Sequence, residues 1–256
     1  MADDRILIPG RYFCRMANTY FHFKQFTVHQ EKAAMKVCTD ACLFGAWVGA
    51  LLGDRGQVAG DRRVLDIGAG TGLLSLLLAQ KTAGQIDAIE IDVDAAEQAA
   101  ANFEASPWKE RLTLLHKDVT EFAPAKKYEL IISNPPFFEN DLESPDDKRN
   151  LALHSSALHL AELIGVIKKH LTDGGQFAVL LPYHRNETFK NLATGEGFYL
   201  HKEANVRQTP KHPFFRSMLL FGRSAGAVQL SEITIRDGDA YSAAFSDLLK
   251  DYYLNV

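Results

Sequence analysis

From Arg63 onward, short apolar runs alternate with stretches in which apolar residues recur every three or four positions. Runs of the first kind predict buried strands, and stretches of the second kind predict amphipathic helices. Arg63 to Ile67 reads as a strand, followed by a glycine-rich turn and an apolar helix from Leu73 to Ala79. Ile86 to Ile91 is the next strand, and an Ala-rich helix from Val93 to Ala105 follows it, opened by the acidic Asp94. Leu112 to His116 and Leu130 to Ser133 are two further strands. Leu158 to His170 has helical spacing in Leu160, Leu163, Ile164, Ile167 and Leu171, and is expected to stop at Gly174-Gly175. Phe177 to Leu181 reads as a buried strand closed by Pro182, and Phe189 to Glu196 as a short helix. Tyr199 to Val206 and Ser217 to Phe221 then read as a closing antiparallel pair. Such alternation specifies an α/β fold built on a doubly wound, mostly parallel sheet. The expected organisation is a single domain over 1–256. Its core spans 55–225, an extension occupies 1–54, and a C-terminal strand and helix occupy 226–256.

Composition narrows the class. The chain has 256 residues, 46% hydrophobic and 23% charged, ordinary values for a globular protein. Ala41 to Leu52, the longest nearly apolar stretch, is too short to span a bilayer. The acidic start Met1-Ala2-Asp3-Asp4 lacks the apolar segment of a secretory signal. Cys14, Cys38 and Cys42 form no disulfide framework, and no CxxC or HxxxH spacing suggests a metal. Cys38 and Cys42, four apart, read as small core residues. The profile is cytoplasmic, with no membrane, no metal and a monomeric state expected. A net charge of –4 argues against indiscriminate nucleic-acid binding but leaves room for a local basic patch.

Four strand ends carry the candidate chemistry. Asp66-Ile67-Gly68-Ala69-Gly70-Thr71-Gly72 joins the first core strand to its helix. Gly68, Gly70 and Gly72 let the backbone turn tightly beside a ligand, and the helix aims free N–H groups into the same crevice. The spacing is G-x-G-x-G rather than the G-x-G-x-x-G that meets a pyrophosphate, and Asp66 stands two positions before it. That pattern suits a ligand with an amino-acid moiety, whose ammonium a carboxylate can pair. Glu90 ends the second core strand, where an acidic side chain accepts from ribose hydroxyls. Asp92 either assists or caps the next helix. Asp118 follows the third core strand, where it either meets an adenine ring or caps a turn.

The fourth strand end is Ile131-Ile132-Ser133-Asn134-Pro135-Pro136-Phe137. The Asn134 side-chain carbonyl and the Pro135 backbone carbonyl can accept both hydrogens of a planar –NH2 group. Pro135 and Pro136 stiffen the loop, since each fixes φ and restricts the residue before it. Phe137 offers a face for a base or an amide plane to stack upon. Asn-Pro-Pro-Phe resembles the signature of S-adenosylmethionine-dependent amino methyltransferases, which act on adenine, on guanine or on a glutamine amide. A Pro-Pro turn ending an ordinary core strand is the plain alternative.

Nearly end to end, the chain resembles the bacterial tRNA(Val) adenine N6-methyltransferases. Phe21 to Phe26, Ala34 to Asp40 and Gly45-Ala46-Trp47 are similar to that family's N-terminal segment. Leu65 to Leu74 resembles its glycine motif, Ser106-Pro107-Trp108 a distinctive turn, and Ile131 to Phe137 its Asn-Pro-Pro-aromatic site. Tyr241-Ser242, Phe245 and Tyr252-Tyr253-Leu254 resemble its C-terminal helix, while Cys38 stands where glycine is expected. The resemblance implies a Rossmann-like class I methyltransferase with a seven-stranded, mostly parallel sheet and an antiparallel C-terminal pair. It implies S-adenosylmethionine as cofactor and N6-methylation of an anticodon-loop adenine in tRNA(Val). It also implies that an N-terminal segment with Gln30, Lys36, Thr39 and Asp40 folds over the cofactor, ahead of a helix running to about Leu52. Thr39 or Asp40 serves equally well as a helix cap.

Three regions are candidates for reading RNA. Lys24, Lys32 and Lys36 alternate with Phe21, Phe23 and Phe26, either as an RNA contact or as a charged face beside a core-facing stripe. The polar loop Glu139 to Leu153 is mostly acidic, so only Lys148-Arg149 and His154 suit phosphate. Arg207 to Arg216, with Lys211, His212, Phe214 and Phe215, suits stacking on single-stranded RNA or forms a solvated hairpin. Two other activities fit the same acceptors: protein glutamine N5-methylation and guanine N2-methylation of RNA. A noncatalytic cofactor-binding scaffold would not need Asn134-Pro135-Pro136-Phe137.

Overall fold

The computed structural model describes residues 18–53, 62–136 and 160–255. A hairpin of β1 (Tyr20–His22) and β2 (Thr27–His29) precedes α1 (Thr39–Gly53). Helix α1 is apolar on every side, which only a helix covered all round tolerates, and Ala41 to Gly49 are all buried. It lies against α2 (Leu73–Ala79) and α6 (Ala243–Leu249).

Strand and helix then alternate: β3 (Arg63–Ile67), α2, β4 (Gln85–Glu90), α3 (Val93–Glu104), β5 (Leu112–His116) and β6 (Tyr128–Ser133). After these come α4 (Leu160–His170), β7 (Leu171–Pro182), α5 (Asn186–Gly195), β8 (Tyr199–Arg207), β9 (Phe214–Gly222) and β10 (Gln229–Thr234). Among the described residues the main sheet has eight strands, ordered β10-β8-β9-β7-β6-β3-β4-β5. Strand β9 runs against β7 and β8, and the other pairings are parallel.

Two apolar layers sandwich the sheet. Phe44 of α1, Leu76 of α2, Phe103 of α3 and Phe245 of α6 pack with Val64, Leu130 and Ala178. Ile164 and Ile167 of α4 and Phe189 of α5 pack with Leu65, Ile131 and Phe177. Successive strand residues therefore serve opposite layers, which is why the central strands read as continuous apolar runs. At β3 the order reverses, with β4 on one side and β6 on the other. A crevice forms outside the strand ends at such a switch point.

The sheet differs from expectation in two places. It has eight strands rather than seven, because β10 adds parallel to β8 as an edge strand. Gln229 to Glu232 are exposed and Ile233 is buried, so the apolar alternation that announces a strand is weak there. The helix before β7 stops at His170, ahead of Gly174-Gly175. Leu171 pairs with Tyr128 and Gln176 with Leu130, so the glycines sit in a bulge of β7 instead of capping the helix.

Candidate active site at the strand ends

The chain leaves β3 through Gly68-Ala69-Gly70-Thr71-Gly72 and enters α2. Gly68, Gly70 and Gly72 have φ of 75°, 56° and 80°, a region costly to residues with a Cβ. The backbone N–H groups of Gly68 and Ala69 donate to Ile89 O at 2.9 and 3.0 Å, pinning the turn to β4. A Cβ on Gly72 would stand 2.5 Å from Phe103 Cε1, whereas one on Gly68 or Gly70 would meet nothing within 4 Å. Gly72 thus admits α3, while Gly68 and Gly70 border open space. That space is a pocket whose wall includes Gly68, Gly70, Glu90, Asp118, Asn134 and Pro135. Ala33, Ala34 and Met35 of the N-terminal arm, with Ile91 and Leu163, also line it.

Negative charge gathers beside the glycine turn. Asp66 is fully buried on β3; its Oδ2 accepts from Ser75 Oγ at 2.7 Å, and its Oδ1 has no hydrogen-bond partner among the described residues. Burial pushes its carboxyl up to about 7, against the Ser75 bonds and with help from the Glu90 charge. Glu90 accepts three backbone N–H groups: Gly70 at 2.7 Å on Oε2, and Ile91 and Asp92 at 2.8 and 2.9 Å on Oε1. It therefore shapes the turn as well as the wall, and its oxygens keep lone-pair capacity for hydroxyl donors. Asp92 caps α3 by accepting from Ala95 N at 2.8 Å. Asp118 accepts from Thr120 N and Oγ1, both at 2.8 Å and both on Oδ1, so it caps a turn and lines the pocket at once.

Asn134 lies across from this acidic group in the strand order, at the end of β6. Ser133 Oγ donates to Ile67 O at 2.9 Å, locking that strand end to β3. Asn134 and Pro136 are half-buried and Pro135 is buried, all three in the pocket wall. The Asn134 Oδ1 atom is buried with no hydrogen-bond partner among the described residues. An acceptor in that condition costs free energy until a donor reaches it. A ligand N–H is the donor that would meet it.

The arm contributes differently from expectation. Gln30 is buried, with Oε1 accepting from Val37 N at 2.7 Å and Nε2 donating to Asn18 O at 2.7 Å. The Lys36 ammonium donates to Gln30 O, and Thr39 is the exposed first residue of α1. Gln30 and Lys36 brace the arm, and Ala33, Ala34 and Met35 supply its pocket surface. Small apolar residues give no chemical signal in sequence, so these were not foreseen. Asn102 was also missed: it resembles any polar residue on an Ala-rich helix but is buried and fully bonded.

Of the residues expected to meet RNA, Phe137, Arg149 and His154 lie outside the described residues. Lys24 Nζ donates to Lys250 O at 2.5 Å, and Lys32 pairs with Glu97 at 2.6 Å. Phe23 and Phe26 are buried and stack with centroids 4.5 Å apart. The charged-face alternative therefore describes this segment as the structure has it. Lys211 is exposed in the turn between β8 and β9, and Arg216 Nε donates to Asp40 Oδ2 at 2.8 Å. Pro182 pairs with Arg216, which places that turn on the carboxyl edge shared with Asn134. Tyr183, exposed after β7, packs on Phe214 with centroids 5.4 Å apart. Among the described residues, no helix is long and apolar enough to cross a membrane, and no His, Cys, Asp or Glu group is placed to hold a metal.

A methyltransferase small-domain family model matches residues 50–194. The tRNA1(Val) (adenine(37)-N6)-methyltransferase of Dyadobacter fermentans is 42% identical, covering 93% of this chain and 98% of its own. That of Flavobacterium johnsoniae is 41% identical, covering 92% of this chain and 100% of its own. Among solved structures, a predicted O-methyltransferase from Agrobacterium tumefaciens matches with a TM-score of 0.61 at 20% identity, over 85% of this chain and 100% of its own. A glycopeptide N-methyltransferase bound to S-adenosylmethionine matches with a TM-score of 0.51 at 14% identity, over 70% of this chain and 94% of its own. Those two likenesses concern the fold alone, which is that of a class I methyltransferase. The similarity in sequence runs almost the whole length of the chain, which therefore belongs to the family of tRNA1(Val) (adenine(37)-N6)-methyltransferases.

Proposed function

We propose that this chain transfers a methyl group from S-adenosylmethionine to N6 of an adenine in the anticodon loop of tRNA1(Val); its relatives' names give N6 of adenine 37 in tRNA1(Val) for them. The observation that carries the reading is Asn134, a buried acceptor without a partner among the described residues, at a strand end in the wall of a pocket.

The pocket fits the cofactor on three counts. Asp66 Oδ1, a buried orphan acceptor two residues before Gly68 but not in the pocket wall itself, would reach an ammonium through water. Gly68 and Gly70 leave open space where side chains would intrude. Glu90 and Asp118 offer acceptors for ribose hydroxyls and an adenine amino group. When bound, S-adenosylmethionine supplies an electrophilic methyl on a sulfonium.

The protein's own task is to make an aryl amine nucleophilic, since its lone pair is otherwise delocalised into the ring. Asn134 Oδ1 and the Pro135 carbonyl each accept one amine hydrogen, which favours a pyramidal nitrogen with its lone pair off the ring. Positive charge appears on nitrogen only as the methyl arrives, so no strong base is needed beforehand. The same acceptors stabilise that charge and pass the surplus proton to water. Phe137, next in the chain, would stack on the extruded base. Lys211, Arg216 and the Tyr183–Phe214 pair, on the same edge, would take phosphates and unstacked bases. Lys24, Arg149 and His154 are further candidates for phosphate contact. The enzyme would work as a monomer in the cytoplasm, where its cysteines stay reduced.

Nucleoside mass spectrometry of tRNA from a gene-deletion strain tests the assignment. Loss of N6-methyladenosine from the tRNA pool is the expected result. An unchanged pool with a newly unmethylated protein glutamine would transfer the same site to glutamine N5 chemistry.

A further inference from the structure

Asn102, on the buried face of α3, is 1% exposed and uses both ends of its amide. Its Nδ2 donates to His29 O at 2.8 Å and to Thr71 O at 2.9 Å, and its Oδ1 accepts from His29 N at 2.9 Å. One side chain thus pairs with the end of β2 much as a neighbouring strand would, and ties it to the glycine turn. Gln98 stands four residues earlier, on the same helix face. Its Oε1 accepts from Lys32 N at 3.2 Å. Gln30 then closes the following loop through Val37 N. The stretch held between these points carries Ala33, Ala34 and Met35 into the pocket wall that Gly68 and Gly70 also form. His29 and Thr71 come from distant parts of the chain, and Asn102 is bonded to both. The bonded atoms in the arm and the turn are backbone, so a change in either piece reaches the other through this amide.

We propose that Asn102, assisted by Gln98, is a positioning residue that couples the N-terminal arm to the glycine turn, so that seating the arm and binding the cofactor are one equilibrium. The inference rests on assigning the pocket to S-adenosylmethionine. Coupling of this kind is reciprocal: if the seated arm favours the cofactor, the cofactor must favour the seated arm. Asn102→Ala leaves His29 and Thr71 backbone groups without their partner. It should weaken S-adenosylmethionine binding by roughly tenfold, the effect of losing about one well-placed hydrogen bond's net free energy. The kcat at saturating cofactor should change little, because Asn102 touches neither the amine nor the methyl. Asn102→Asp keeps the acceptor and loses the donor, and should resemble Asn102→Ala. Gln98→Ala, which loses one arm bond and spares the turn, should show a smaller effect in the same direction.

The test pairs calorimetric titration of S-adenosylmethionine with amide hydrogen exchange of residues 29–37, in full-length wild type and the three variants. In wild type the cofactor should slow exchange at His29, Lys32 and Val37. In Asn102→Ala that protection and the affinity should fall together. A purely structural role gives a different result: a lower melting temperature with affinity and cofactor-induced protection as in wild type, and that outcome overturns the proposal. If Asn102→Ala does not fold, Gln98→Ala decides by the same two readouts. A wild type that binds no S-adenosylmethionine removes the pocket assignment and the coupling with it. A wild type that binds without protecting the arm removes the coupling alone.

Discussion

Replacing Asp66 by asparagine removes one charge and little else, since the amide keeps the volume and a carbonyl for the Ser75 hydroxyl now 2.7 Å from Oδ2. Burial holds the Asp66 carboxyl up to about 7, so in the free protein it is roughly half protonated at neutral pH. Pairing with the cofactor's ammonium requires the carboxylate, so binding must expel a proton. Affinity for S-adenosylmethionine should rise with pH from about 5.5, by at most about tenfold per unit, and level off above about 7. It should fall again near pH 8 as the ligand's own α-amino group titrates, at roughly 7.7–8.0. The free protein carries the opposite linkage. With the folded carboxyl raised from 3.8 to about 7, the site's contribution to stability is full below the unfolded value and lost as pH rises through the folded one. Asp66→Asn should therefore be more stable than wild type at about pH 8, by up to about 4 kcal/mol, with the gap narrowing as pH falls through about 7 and closing only near the unfolded value of 3.8. Titration calorimetry at neutral pH, in two buffers of different ionisation enthalpy, reads the released proton directly. About half a proton is expected for wild type and none from this site in Asp66→Asn. Equal pH profiles for the two proteins would refute the pairing of Asp66 with the ammonium.

Asn134→Ala should bind S-adenosylmethionine within a few-fold of wild type yet lose roughly 10²–10³ in kcat, the usual effect of deleting one preorganised polar group; single-turnover methylation of purified tRNA measures this. Gly70→Ala should fold with a modest stability loss of about 1–2 kcal/mol from its left-handed φ, while cofactor affinity collapses because the new Cβ enters the open pocket. Gly72→Ala should lose stability first, since its Cβ would stand 2.5 Å from the Phe103 ring, and thermal melts beside titrations separate the two. Lys211→Ala with Arg216→Ala should flatten the salt dependence of tRNA binding, by about 0.7 in log–log slope for each phosphate that is no longer neutralised. Cofactor affinity should stay as it was, and a filter-binding slope unchanged from wild type would remove this edge from the RNA surface.

The central strands were legible because they are buried on both faces and so are near-continuous apolar runs, as Val64 to Ile67 and Leu130 to Ile132 are. Strand β10 is the C-terminal strand expected within 226–256, but its joining the main sheet as an eighth strand was not legible, because Ile233 alone of its residues meets the core. The hairpin β1–β2 escaped because each strand is three residues long and Val28 alone in them is buried, too short a run to show an alternating pattern. Of the four strand-end residues, Glu90, Asp118 and Asn134 share one pocket wall, while Asp66 is buried just before it. What sequence could not separate was capping from lining, and Asp118 does both. The arm was the least legible part. Its polar residues Gln30 and Lys36 drew attention, yet their bonds go to the arm's own backbone, and plain Ala33, Ala34 and Met35 face the pocket. Arg216 illustrates the same limit: a cation in a surface motif is held by Asp40, at a separation of 176 residues in sequence.

The most direct measurement is methylation of purified tRNA by the purified protein with S-adenosylmethionine carrying a labelled methyl group, followed by nucleoside mass spectrometry and fragment mapping. The expected product is N6-methyladenosine confined to the anticodon loop of tRNA1(Val), formed by wild type and reduced at least roughly a hundredfold in Asn134→Ala. Label appearing on guanine N2 or on a protein glutamine, or label on adenine that survives Asn134→Ala undiminished, would contradict the assignment of this strand end to adenine N6 transfer.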